Sequence, residues 1–168
     1  MVTSFSNPID LGRTISNALN VAKDAEVCNE DTANQVRDKA EKYPSQSNGS
    51  LMRMTPMAVY LSLTKDDNLL ARCAMQEASL THGSKSTRIA AACYCFAVRE
   101  LLTNFGDREG AYQAAKKWAE NIYQMDVASN SKAPTKLVKW FKLIDKTHEK
   151  NQENNYKKII LPVLFITS

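Results

Sequence analysis

Ten consecutive residues, Ile89 to Val98 within the stretch RIAAACYCFAVRELL, carry no charge and leave no polar face at helical period. A helix that is hydrophobic all round has to be surrounded by other elements, so this segment belongs at the centre of the fold. The chain has 168 residues, 43% hydrophobic and 24% charged, which is one domain's worth and enough to bury a core around such a helix.

The flanking segments are also helical in period. Leu11, Ile15, Ala18, Leu19 and Ala22 form a stripe that predicts a helix over 11–26. NEDTANQVRDKAEKY starts with an Asn N-cap and an acidic first turn and becomes basic toward its end, as a surface helix would. Pro56 suits the first turn of a short helix ending at Leu63. Thr64, with Asp67 three residues on, predicts a capping box for a helix reaching Leu80. Gly83 breaks that helix, and Ser84 is the candidate cap of the apolar one. After the break at Asn104-Phe-Gly106-Asp107, Ala111, Ala115, Trp118, Ala119 and Ile122 mark a further amphipathic helix. Residues 129–134 read as a linker, and Leu137, Trp140, Phe141 and Ile144 mark the last helix. The expected fold is all-α, a single bundle of helices over residues 1–150. Residues 151–168 form a polar linker and a short apolar tail, IILPVLFITS, read as a strand or a collapsed end.

Charge and cysteine usage exclude several classes. The net charge is +4 with a pI near 8.8, but the basic residues are interspersed with acids, so no nucleic-acid partner is expected. Cys93 and Cys95 would point about 200° apart on a helix and cannot share a metal. With Cys28 and Cys73 they read as buried free thiols of a reducing compartment. The N-terminus lacks a basic region and a long apolar run, and the apolar tail is too short to span a bilayer, so no membrane association is expected. The chain reads as cytosolic or nuclear, with a cytoplasmic location expected.

Candidate chemistry is sparse. His148 lies in a polar stretch and reads as an exposed helix-end residue. His82 stands in a break between helices, flanked by Thr81 and Gly83, where a bare histidine is more often a cap or a surface residue. Glu30-Asp31 and Asp66-Asp67 each begin a helix, where capping and dipole compensation explain them. No spacing matches a metal site, a P-loop or a nucleophile elbow. SQSNGS, residues 45–50, is different, because it sets hydroxyls, amides and a glycine directly ahead of a helix, with Arg53 close behind. It is either a plain interhelical turn or a loop whose N–H groups hold an anion such as phosphate.

Two segments in order bear on that choice. SNGSLMRMTPMAVY (47–60), followed one helix later by ASLTHGSKSTRIAAACYCFAVREL (78–101), resembles the ADP-ribosylglycohydrolase family. Members carry a Gly/Ser-Asn-Gly loop running into a Met-Arg-x-x-Pro helix, then a Thr-His pair ahead of a buried Ala-rich helix. Upstream, SNPIDLGRTISNAL is similar to the family's Pro-Phe-Asp-x-Gly-x-Thr segment, so the likeness spans roughly residues 5–126. The resemblance implies an all-α fold and hydrolysis of the bond joining ADP-ribose to a modified protein side chain or related acceptor, with bound Mg²⁺. Gln46, Ser47, Asn48, Gly49 and Ser50 would then lie against the ADP-ribose diphosphate and proximal ribose, with His82 donating toward phosphate or ribose. Arg53 and Thr81 would support the loop, and Asp10 would be structural, as a helix cap.

The departures are equally specific. The family binds magnesium through Thr-Asp-Asp and Gly-Gly-Asp-x-Asp-Thr motifs, and neither occurs here; TKDDN stands where the family has an ordinary helix start. Family domains are also longer than this chain. The expectation is a partial or degenerate member that binds ADP-ribose or an ADP-ribosylated protein without completing catalysis. The alternative is a non-enzymatic helical interaction module on the same scaffold. A chain missing part of a shared core should expose apolar helix faces, so self-association is expected.

Overall fold

The computed structural model describes residues 12–23, 27, 29–128, 139, 142 and 145. Among them are seven helices and no strand: α1 (Arg13–Lys23), α2 (Glu30–Lys42), α3 (Gly49–Met52), α4 (Thr55–Leu61), α5 (Asp67–Ser79), α6 (Lys85–Thr103) and α7 (Arg108–Ala128). The fold is all-α, as the periodicity predicts. No helix among the described residues is long and apolar enough to cross a membrane.

The central helix is α6, which packs against α4, α5 and α7 and touches α3. Ile89, Ala91, Ala92 and Cys95 are wholly removed from solvent. Ala111, Ala115 and Ala119 of α7 recur at i, i+4 and i+8 and are all buried, so their small side chains let α7 approach closely. Trp118 stacks on Phe96 with ring centroids 5.5 Å apart and an interplanar angle of 27°. Burial pushes the Cys93 and Cys95 thiols up to about 12, so they remain protonated and act as small apolar side chains. The turn from α6 to α7 uses Gly106 at φ 84°, a left-handed conformation that glycine adopts without strain.

Several local expectations change. The cap of α5 is Asp66, not Thr64: its Oδ1 accepts from the Asn68 and Leu69 N–H groups at 2.9 and 3.1 Å. Asp66 is extended (ψ 105°) directly ahead of the first helical residue, whereas Thr64 accepts from the Asp66 N–H at 3.1 Å in a separate turn. The short helix expected to run to Leu63 is α4, which ends at Leu61, and a separate turn of helix, α3, precedes it from Gly49. Asn29 caps α2 through the Thr32 N–H at 2.9 Å, but α2 is not wholly a surface helix, since Thr32, Val36 and Ala40 are buried at a spacing of four. In α1 only Ala18 is buried, and Leu19 of the expected stripe is 52% exposed.

Asp10, Leu11, Cys28, the linker at 129–134, His148 and the tail at 151–168 lie outside the described residues, as do Leu137, Trp140, Phe141 and Ile144. Asp145 is described and is tied to α7, accepting from the Tyr112 hydroxyl at 2.9 Å and pairing with Lys116 at 2.6 Å.

Candidate functional site

The loop between α2 and α3 meets the end of α5 at one buried imidazole. The last turn of α5 tightens as the Thr81 and His82 N–H groups both reach the Ala78 carbonyl, at 3.3 and 2.9 Å. The chain then passes so close to α2 that a Cβ on Gly83 would lie 2.5 Å from the Ala40 carbonyl oxygen and 2.6 Å from the Glu41 Cα. Only glycine fits there, and its contact with α2 fixes where Thr81 and His82 point. His82 is fully buried, and both ring nitrogens are engaged: Nδ1 with the Thr81 hydroxyl at 2.7 Å and Nε2 with the Ser47 hydroxyl at 2.9 Å.

Arg53 fixes the direction at one end of this network. Arg53 can only donate, and its Nη2 donates to Thr81 Oγ1 at 2.8 Å and to the Glu77 carbonyl at 3.1 Å. An Arg53–Glu77 ion pair fastens the guanidinium to α5. The Thr81 oxygen, accepting from Arg53, also meets His82 Nδ1 at 2.7 Å and can either donate to it or accept from it. Burial first, and the Arg53 charge second, push the His82 pKa down to about 4, so the ring is neutral near pH 7. A neutral ring donates at one nitrogen and accepts at the other: with its hydrogen on Nε2 it donates to Ser47 Oγ, and with it on Nδ1 it donates to Thr81 and accepts from Ser47. Ser45 Oγ also donates to Ser47 Oγ, at 3.1 Å, while accepting from the Ser47 N–H and the Thr14 hydroxyl, each at 3.2 Å. In the Nε2–H tautomer Ser47 accepts twice, from Ser45 and from His82, and its own hydroxyl hydrogen is used in neither bond.

The structure brings Ser47, Gly49, Thr81, His82 and Arg53 together. A Cβ on Gly49 would lie 3.2 Å from His82 Cε1 and 3.4 Å from Ile15 Cδ1, so this glycine serves close approach of backbone to imidazole. Asn48 is the N-cap of α3 at φ −80°, ψ 4° with no capping bond from its side chain. Gln46 is exposed and Ser50 is fully buried, its hydroxyl without a partner among the described residues. Ser45 and Thr14 complete the network and were not among the residues expected from sequence. Thr14 was within reach of that reading, because it closes the segment likened to Asp-x-Gly-x-Thr.

The model of the ADP-ribosylglycohydrolase family matches residues 2–161. The chain belongs to the ADP-ribosylglycohydrolase family. No curated protein and no solved structure matches it significantly. Family membership accords with the order loop, Met-Arg-x-x-Pro helix, Thr-His pair, buried helix, which the structure presents as α3, α4, the end of α5 and α6. The magnesium shell of ADP-ribosylglycohydrolases does not fit the residues described here: no group of three or more His, Cys, Asp or Glu could hold a metal ion among them. No catalytic step is derived through a metal.

Proposed function

We propose that this ADP-ribosylglycohydrolase-family chain binds ADP-ribose, alone or on a modified protein, against Gln46, Ser47, Asn48, Gly49 and Ser50, with His82 behind them. The observation that supports this most is the Ser47 hydroxyl. With His82 assigned the Nε2–H tautomer, the donor chain from Arg53 through Thr81 and His82 leaves the Ser47 hydroxyl hydrogen for an acceptor such as a phosphate oxygen. The Gly49, Ser50 and Leu51 amides precede the first closing bond of α3, from Met52 N–H to the Asn48 carbonyl, and add donors in the same stretch. Arg53 and Thr81 act on the ligand only through His82.

Binding in this arrangement is not turnover. Glycosidic hydrolysis needs stabilisation of positive charge on the ribose and an activated water. The imidazole has both nitrogens committed to hydroxyls and cannot exchange a proton with substrate without breaking one of them. The proposed contacts come from hydroxyls and backbone amides of this chain, so binding is expected without Mg²⁺.

The test is a calorimetric titration of the folded chain with ADP-ribose, with and without Mg²⁺. The expected result is saturable binding independent of Mg²⁺ and lost in Asn48→Ala and in His82→Ala. Magnesium-dependent binding would restore the full hydrolase reading. A second reading, a helical interaction module, is favoured by the exposure of Met52, Tyr60 and Leu63 along α3 and α4, at 76%, 73% and 85%. It would take the lead if the folded chain bound no ADP-ribose and sedimented as a concentration-dependent oligomer.

A further inference from the structure

A cleft of about 450 Å³ lies between α1 and the C-terminal end of α2, with Ser45 and Thr81 in its wall. That volume suits a ligand of nucleotide size. Among the described residues its charged lining residues are Arg13, Lys39 and Lys42, with no acidic residue beside them. None of the three pairs with an acid among the described residues. Lys39 Nζ stands 5.5 Å from the centre of the Tyr43 ring, and that ring also lines the cleft.

Helix electrostatics separate these cations. Lys39 and Lys42 occupy the last turn of α2, where the helix dipole attracts positive charge, and by themselves they need no ligand. Arg13 is the first residue of α1, where the dipole disfavours a cation, and the first turn of α1 holds no acid to compensate. Three cations therefore share one concave wall, one of them held against its own helix, with no anion among the described residues to balance them.

We infer that this cleft is a second anion site, separate from the 46–50 loop, and that it takes a phosphate monoester. The dianion sits among Arg13, Lys39 and Lys42 and leaves the Tyr43 ring available to an attached sugar or base. The inference goes beyond the binding of ADP-ribose, whose phosphates form a diester-type bridge rather than a monoester.

Backbone amide NMR of the whole chain, titrated at low salt with inorganic phosphate and separately with AMP, tests it. Both probes should shift amides in 13–18 and 39–45. The combined variant Arg13→Gln, Lys39→Gln, Lys42→Gln should weaken both by about tenfold or more, each exposed charge contributing a modest share. All three side chains are solvent-facing, so the variant should keep the helical circular dichroism of the parent. Asn48→Ala should leave the phosphate response intact even where it abolishes ADP-ribose binding. Tighter binding of AMP than of phosphate would assign the extra affinity to the Tyr43 side of the cleft. Shifts confined to 46–50, unchanged affinity in the triple variant, or no response at millimolar phosphate would overturn the proposal.

Discussion

Ile89 and His82 are both sealed from solvent, yet their surroundings differ in kind. Ile89 belongs to a buried cluster of Ala, Cys, Leu, Met and Phe side chains from α3 to α7 that carry no hydrogen-bond direction. Around His82 both ring nitrogens meet hydroxyls, the Gly49 backbone lies against the ring, and Arg53 donates to one of those hydroxyls. The first environment is specified by volume and the second by protonation state. A substitution should therefore harm the first in proportion to the cavity it leaves. The second should respond to any change that reverses or interrupts a donor, even one that conserves volume.

The largest expected effect lies in the apolar region. Ile89→Ala should lower stability to urea by about 3 kcal/mol, within the range for a buried aliphatic side chain cut to alanine. Titration of the protein that remains folded should give the parent affinity for ADP-ribose, since no site residue is altered. A large fall in affinity at undiminished stability would erase the distinction drawn between the two environments.

The polar region should reveal itself through pH. In the unfolded chain His82 titrates near 6.5, and in the folded chain near 4. Above 6.5 both states hold the ring neutral and pH has no effect through this group. Between 6.5 and 4 the unfolded chain takes up a proton that the folded chain refuses, so stability falls as pH falls. The loss approaches about 3 kcal/mol at the lower end and then levels off, once the folded state is protonated as well. Urea unfolding of the parent and of His82→Gln across that range isolates the contribution. The parent should lose more than the variant, and parallel curves would mean that the ring is not held neutral.

Legibility in the sequence follows the same division. The apolar run at 89–98 could be placed centrally because a helix without a polar face has one environment open to it. The loop and the Thr-His pair could be singled out by residue type and order. The direction of hydrogen bonding between them could not, since it depends on Arg53 reaching Thr81 across 28 residues. Gly83 was readable as a helix breaker, but its contact with the Ala40 carbonyl joins segments that no local pattern connects. Leu19 fits the α1 stripe by period and is half-exposed because α1 is packed mainly by α2. The choice between Thr64 and Asp66 as cap was invisible because both residue types cap well, and the extended backbone at Asp66 decides it.

That last point gives a smaller, cleaner effect away from both buried regions. Asp66→Ala should cost about 1 kcal/mol, the usual consequence of losing an N-cap, and Thr64→Ala should cost less. Thermal or urea unfolding of the two variants side by side decides it, and a larger loss for Thr64→Ala would return the cap to the position expected from sequence.

Gly49→Ala should have the smallest effect on stability and is the most informative about the polar region. Gly49 is helical with an ordinary negative φ, so alanine there gains helix propensity worth roughly 0.5–1 kcal/mol. Against that gain, the new Cβ would lie 3.2 Å from His82 Cε1 and 3.4 Å from Nε2, closer than such atoms normally rest. An imidazole loose in a cavity would move aside and the gain would survive. This one is held at both nitrogens, by Thr81 at 2.7 Å and Ser47 at 2.9 Å, so it yields only by lengthening one of those bonds. Retreat of the loop would stretch the bond from Nε2 to Ser47 while the bond to Thr81, inside the same turn, stays short. Net stability should therefore change by less than about 1 kcal/mol, because the propensity gain and the strain oppose each other. ADP-ribose affinity should nevertheless fall, because Ser47 would lose the donor that orients its hydroxyl toward the ligand. Calorimetry beside urea unfolding separates the two quantities. A variant that is more stable and binds ADP-ribose as tightly as the parent would show that the imidazole is free to move, and that the donor chain does not govern the loop.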